Sequence, residues 1–125
     1  MQINKVGIAA KNIPESVKFY ELLGFTFEQE GDTTQHTEST NSKGAKLMID
    51  SEELVKELLG ESPRPGNISV FAVEFESAQR LDEVAGTLTN AGYKFKKQPW
   101  DAFWGQRYAV VIDPNGFLID LYAYL

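Results

Sequence analysis

The 125-residue sequence has no cysteine and only one histidine, His36. Without cysteine, disulfides, thiolate metal sites and cysteine nucleophiles are all excluded. A Ser-His-Asp arrangement would have to be built around His36, and no serine pattern points to it. No apolar run reaches the roughly 18 residues that a membrane helix needs. The opening "MQINKVGIAA" has no basic segment leading into a long apolar one, so it does not read as a signal peptide, and a cytoplasmic protein is expected. Basic residues are few and scattered: 12 Lys and Arg stand against 18 Asp and Glu, a formal net charge of −6. Phosphate binding needs clustered positive charge, so nucleic acid is not an expected partner, and neither is a membrane. Glycine-rich phosphate loops are absent. The one close pair of carboxylates, Glu74 and Glu76, ends a strand and reads as a solvated edge rather than an acid–base pair.

What the sequence does contain is an ordinary globular composition, 42% apolar and 24% charged, in a chain long enough for one domain of two small halves. The pattern runs twice. "INKVGIAA" alternates as a strand. "NIPESVKFYELLG" reads as a helix capped by Asn12 or Ser16 and stopped by Gly24, with an apolar stripe through Val17, Tyr20 or Glu21, and Leu22 or Leu23. Short strands follow in "FTFEQEG", "DTTQHTEST" and "AKLMID", then a short amphipathic helix in "SEELVKELLG". "ESPRPG", with two prolines and a glycine, continues neither periodic structure and reads as a linker over about 61–66. Beyond it come a strand in "NISVFAVEF", a helix in "SAQRLDEVAGTLTNAG", a strand in "YKFKKQPW" and a hairpin formed by "WGQRYAVVID" and "GFLIDLYAYL". Each half is β-α-β-β-β. Modules over about 1–60 and 67–125 are expected to supply eight strands and two main helices.

In the hairpin, "DPNG" is a turn in which Asp113 accepts backbone hydrogen bonds and Gly116 is left-handed. A glycine bulge there pairs Asp113 with Phe117. Val110 then lies opposite Asp120 and Tyr108 opposite Tyr122, with Gln106 and Trp104 on the same face. A one-residue slip would exchange the two faces of the strand.

Three stretches, "ESVKFYELLGF", "GNISVFAVEF" and "WGQRYAVVIDPNGFLIDLYA", resemble the vicinal oxygen chelate superfamily, which includes glyoxalase I, extradiol dioxygenases and bleomycin-resistance binding proteins. The resemblance implies an α+β fold: two tandem βαβββ modules forming a curled, eight-stranded mixed sheet, an open cup with helices on its outer face. Metal-dependent members hold a divalent ion with four strand positions. Carried onto this chain, those positions fall on Lys5, on the stretch Lys46 to Met48, on Asn67 and on Asp120. Only Asp120 is a plausible ligand, so no metal and no cofactor are expected. Asp120 is either an anchor for a cationic or polar ligand or the partner of Lys5 in an ion pair that stands in for the metal.

Trp100, Phe103, Trp104, Tyr108 and Tyr122, joined by Phe71, Gln106 and Asp120, form the candidate ligand-binding set; no catalytic residue is assigned. Phe71 is placed on the cup face with Asn67 and Ser69, and "QPWDAFWGQ" is read as an adjustable loop. Large aromatics gathered on one concave sheet suit a planar or apolar guest. The expected function is metal-free binding of a small aromatic or cationic molecule, resembling the bleomycin-resistance group, by a homodimer. The alternative is an enzyme of the superfamily (a lyase, isomerase or dioxygenase) using a displaced metal or a metal-free reaction at Asp120 or Tyr108.

Overall fold

The computed structural model describes residues 1–28 and 35–125. The chain divides into two compact units, Met1–Arg64 and Pro65–Leu125.

In the first unit, strand β1 (Lys5–Ala10) leads into helix α1 (Ile13–Leu23). Asn12, not Ser16, is the cap: its side-chain oxygen accepts the Glu15 N–H at 3.0 Å, satisfying an amide that the helix start leaves free. Gly24 closes the helix at φ +113°, where a side chain would be strained. The inward stripe is Ile13, Ser16, Phe19, Tyr20 and Leu23. Tyr20 and Leu23 are thus the members of the expected stripe that face inward, while Val17 is only half-buried and Ser16 takes the inward position beside it. These residues pack on Leu47 and Ile49 of β3 (Lys46–Ser51), which pairs parallel to β1 and antiparallel to β2 (His36–Glu38). The sheet is mixed, with order β1-β3-β2. Helix α2 (Glu52–Leu59) follows, capped by Ser51 and stopped by Gly60; none of its residues is buried.

The second unit is βαβββ: β4 (Ser69–Glu74), α3 (Ala78–Asn90), β5 (Phe95–Ala102), β6 (Gln106–Ile112) and β7 (Leu118–Tyr124). Its sheet, order β4-β7-β6-β5, has β4 parallel to β7 and the remaining pairs antiparallel. Ser77 caps α3 through the Arg80 N–H at 3.0 Å. Leu81, Val84, Ala85 and Leu88 of α3 are buried, as are Ala109 and Val111 of β6 and Ile119, Leu121 and Ala123 of β7. Burying each leucine or isoleucine contributes about 1.5–3 kcal/mol. The alternation along β6 and β7 therefore assigns one sheet face to the helix and leaves Tyr108, Val110, Asp120 and Tyr122 on the other. The turn adopts the expected geometry. Asp113 Oδ1 accepts the N–H groups of Asn115 and Phe117, each at 2.8 Å, and Gly116 has φ +93°.

The fold is α+β, with mixed sheets. Three expectations change in detail. The described residues form seven strands in sheets of three and four, not one sheet of eight. The strand expected at "FTFEQEG" is reduced to a single bridge, Phe27 with Ser39; the rest of that expectation, and the start of "DTTQHTEST", fall on residues 29–34, outside the described residues. The expected loop "QPWDAFWGQ" is mostly strand: β5 continues to Ala102, leaving only Phe103, Trp104 and Gly105 as the turn. Pro99 is compatible with this because β5 is an edge strand with a register shift between Lys97 and Trp100.

Candidate functional site: the aromatic sheet face of the second unit

The register of β5, β6 and β7 sets the site. Lys97 pairs with Val110, which pairs with Asp120; Trp100 pairs with Tyr108, which pairs with Tyr122; Gln106 pairs with Tyr124. Tyr122 in turn lies opposite Glu74 on β4. Residues directly opposite one another share a face, so these rows stack aromatic on aromatic across three strands.

The rings touch in series. Phe103 meets Trp104 edge to face with centroids 5.0 Å apart, Trp104 meets Tyr108 at 5.4 Å, and Trp100 meets both Trp104 and Tyr108 at 5.9 and 6.0 Å. Tyr108 stacks on Tyr122 at 6.1 Å with planes 21° apart, and Tyr122 meets Tyr124 at 5.8 Å. Six rings are thus contiguous on one face. Phe103 at 96% and Trp104 at 48% relative exposure lie at the turn end. Gly105, at φ +88°, makes that turn possible. Trp104 Nε1 donates to Gln106 Oε1 at 2.7 Å, which fixes the indole against the strand.

Two carboxylates lie among the rings. Asp120 accepts hydrogen bonds from the Tyr108 hydroxyl at 2.6 Å and from the Ser69 hydroxyl. Glu74 accepts the Tyr122 hydroxyl at 3.0 Å. Among the described residues neither carboxylate forms an ion pair with Lys or Arg. Burial pushes the Tyr108 hydroxyl up to about 12, and the Asp120 carboxylate beside it acts in the same direction. Tyr108 is therefore a neutral donor across physiological pH. The Tyr122 hydroxyl is also raised, chiefly by its hydrogen bond to Glu74.

The structure brings Trp100, Phe103, Trp104, Gln106, Tyr108, Asp120 and Tyr122 onto one face. It removes Phe71. A bulge between Ser69 and Phe71 advances β4 by one residue, so Ser69 faces Asp120 while Phe71 sits opposite the buried Ile119, on the helix side. A bulge inverts the alternation beyond it, and nothing in "NISVFAVEF" marks its position. Glu74, Tyr124 and Lys97 also belong to the face; the candidate set leaves them out, although Tyr124 stands in the same C-terminal cluster of aromatics. Their signal is the same alternation that selects Asp120 and Tyr122, extended one step along β7 and across to β4 and β5.

Lys5 and Asp120 each have partners within their own unit. Lys5 Nζ lies 2.9 Å from Glu38 Oε2, and Asp120 is held by the two hydroxyls. His36 is not isolated: its Nδ1 is 2.5 Å from Asp50 Oδ1 and its Nε2 is 3.0 Å from Glu38 Oε2. The hydrogen bond to Asp50, supported by Glu38, raises the His36 pKa above its ordinary 6.5. Lys5, His36, Glu38 and Asp50 share one face of the β1-β3-β2 sheet, because Lys5 pairs with Lys46, Glu38 with Met48 and His36 with Asp50.

The positions to which the resemblance assigns metal ligands fit a divalent ion poorly. Lys5 presents an ammonium, Met48 a thioether and Asn67 an exposed amide ahead of β4, while both Asp120 oxygens already accept hydroxyls. Among the described residues no group of three or more His, Asp or Glu side chains is arranged to hold a metal ion.

A family model described as Glyoxalase/Bleomycin resistance protein/Dioxygenase superfamily matches residues 2–121. Among curated proteins none matches the chain. Solved structures do. A glyoxalase/bleomycin resistance protein/dioxygenase family enzyme from Burkholderia phytofirmans PsJN is 17% identical, with both chains covered in full and a TM-score of 0.81. A glyoxalase-related enzyme from Fulvimarina pelagi, also 17% identical, has a TM-score of 0.82 over 98% of this chain and 88% of that one. A glyoxalase/bleomycin resistance protein/dioxygenase from Nocardioides is 22% identical, with a TM-score of 0.73 over 100% of this chain and 84% of that one. At these identities the similarity carries the fold.

Proposed function

The chain belongs to the Glyoxalase/Bleomycin resistance protein/Dioxygenase superfamily, and from that premise we propose that it is a metal-free binding protein that sequesters or senses a small aromatic or cationic molecule. The observation that carries this reading is the six-ring face of the second unit, with two carboxylates on it that are held by hydroxyls and not by cations. Ring faces attract planar and cationic groups through dispersion and their quadrupoles. Uncompensated carboxylates add a charge-assisted contact to a ligand ammonium or guanidinium. Hydroxyl donors keep those carboxylates in place without neutralising them.

The test is a fluorescence titration of Trp100 and Trp104 with ethidium as a planar cationic probe. Quenching is expected, with Trp104→Ala weakening the affinity at least tenfold, about 1.4 kcal/mol, and Asp120→Asn weakening it for cationic probes and not for neutral ones. Unchanged affinity in both variants would sink the assignment. The metal-free part is read separately: Ni, Zn, Fe or Mn ions leave the melting temperature unchanged, whereas a tight site at a hundredfold excess over Kd would add about 2.7 kcal/mol.

The homodimer is part of the same proposal. It rests on the largely exposed Phe103 and Trp104 at the turn, since large exposed aromatics gathered in one patch mark contact surfaces. Light scattering is expected to give twice the 14.0 kDa chain mass; a monomer at micromolar concentration would refute it.

A second reading, a metal-free enzyme, is favoured by the Ser69–Asp120–Tyr108 chain, in which a carboxylate and a protonated tyrosine adjoin the ring face. In that reading Asp120 takes a proton from a bound carbon acid and Tyr108 donates a hydrogen bond to the developing oxyanion. Deuterium uptake by hydroxyacetone, lost in Asp120→Asn, would support it over simple binding.

A further inference from the structure

One cation already lies on the aromatic face. Lys97 Nζ is 4.7 Å from the centroid of the Trp100 ring, inside the range of cation–π attraction. Among the described residues it has no carboxylate partner in an ion pair. The register puts Lys97 in one cross-strand row with Val110 and Asp120. Strands are spaced about 4.8 Å apart, so the Lys97 and Asp120 backbones are roughly 10 Å apart. Between them Val110 leaves a low, apolar step bordered by Trp100 and Tyr108 in the next row. A cation above Val110 would meet an indole and a phenol on one side and a carboxylate on the other.

Resting on the cationic reading proposed above, we propose that Lys97 is a built-in competitor for the ligand's cationic group, at a site whose ring faces favour quaternary ammonium compounds. Lys97 and a ligand ammonium take the same indole face of Trp100, so binding displaces Lys97. The competitor is tethered three residues away, and an intramolecular partner acts at an effective concentration in the millimolar range. A primary ammonium exchanges like for like: it is as strongly hydrated as the lysine it displaces and gains little from the ring. A trimethylammonium group donates no hydrogen bond to water and loses less on desolvation, while keeping its full charge for the ring and for Asp120. It wins the exchange. Once displaced, Lys97 still repels the bound cation, which lowers affinity without altering the shape of the site.

The experiment measures Trp quenching by benzyltrimethylammonium, benzylamine at neutral pH and benzyl alcohol, in wild type, Lys97→Met, Lys97→Arg and Trp104→Ala. Lys97→Met should tighten benzyltrimethylammonium and benzylamine alike, each about fivefold, because a competitor that both displace lowers both affinities by one factor. Benzyl alcohol should be unaffected, and Lys97→Arg, which keeps a cation able to stack on the indole, should stay near wild type. If benzyltrimethylammonium binds, Trp104→Ala weakens it and Lys97→Met leaves it unchanged or weaker, the competitor role is overturned while the cation-binding face stands. If no variant responds to either cation, both readings fall. Such silence together with a dimeric mass by light scattering would assign the face to a second copy of the chain.

Discussion

The two units use the same device and fill it with different chemistry. Each lays a helix over one face of a mixed sheet and gives the other face to polar or aromatic side chains. In the first unit that second face carries Lys5, His36, Glu38 and Asp50, each with an oppositely charged neighbour, and Lys46 across from Lys5. In the second it carries six contiguous rings and two carboxylates supported by hydroxyls alone. A face whose charges cancel internally has little to offer a charged guest. A face with unneutralised carboxylates beside ring faces has electrostatic attraction to spare. The difference locates the ligand reading in the second unit and gives the first a structural one.

The comparison breaks first if the helix-covered faces are not equivalent supports. Ile49 in the first unit and Leu121 in the second are both fully buried. Truncating either to alanine should cost about 2–5 kcal/mol, the lost burial plus the cavity left behind. Tyr122, next to Leu121 but on the other face, should cost much less when replaced by alanine. Urea unfolding of the three variants checks this. A Tyr122→Ala penalty as large as that of Leu121→Ala would make the aromatic face part of the core.

The next largest effect sharpens the contrast in how charges are held. Tyr108→Phe removes one of two hydroxyls donating to Asp120, and a hydrogen bond to a charged, half-buried carboxylate should be worth about 1–2 kcal/mol of stability. The same bond is visible in alkaline titration. A folded-state pKa raised to about 12 means that the native protein holds this proton more firmly than the unfolded chain does. Its contribution is complete below pH 10 and is lost as pH rises through about 12. Absorbance of tyrosinate should show a group ionising near 12 that disappears in Tyr108→Phe. In Asp120→Asn it should move only part of the way down, because burial is the larger cause.

Much of this was legible in the sequence. The end of the first helix is a local signal: Asn12 and Ser16 both offer a cap, the structure uses Asn12, and Gly24 stops the helix as its residue type predicts. The hairpin register follows from "DPNG" once its glycine bulge forms, and the observed pairing places Tyr108, Asp120 and Tyr122 on one face as that register requires. What escaped is non-local or sub-residue in scale. The bulge at Ser69/Phe71 moved Phe71 to the helix side, and no residue type announces it. The continuation of β5 past Trp100 to Ala102, where "QPWDAFWGQ" reads as a loop, depends on its pairing with β6 and not on residue type. Lys5 and His36 found partners in Glu38 and Asp50 because β2 and β3 pair in one particular register, whereas the sequence reading had considered Lys5 only against Asp120.

The smallest expected effect tests the first unit's face. His36 donates toward Asp50 and Glu38 only when both ring nitrogens are protonated, so the network favours the imidazolium and raises the pKa above 6.5. A raised folded-state pKa on a base sets the sign: the stabilisation is fully present below pH 6.5 and is lost as pH rises through the higher, folded-state value. The side chain is 42% exposed, so solvent screening holds the gain to roughly 0–1 kcal/mol. Urea midpoints at pH 5.5 and pH 9 should therefore show wild type ahead of His36→Gln by a few tenths to 1 kcal/mol at the acid end and level with it at the alkaline end. High salt should shrink the acid difference, since the pairs are partly exposed. Lys5→Met should weaken the Glu38 arm while leaving the Asp50 arm, reducing the pH effect without abolishing it. A pH-independent gap between wild type and His36→Gln would mean that the imidazole contributes by packing alone. The balanced-charge description of the first unit would then fail, and with it the contrast that points to the second unit as the binding face.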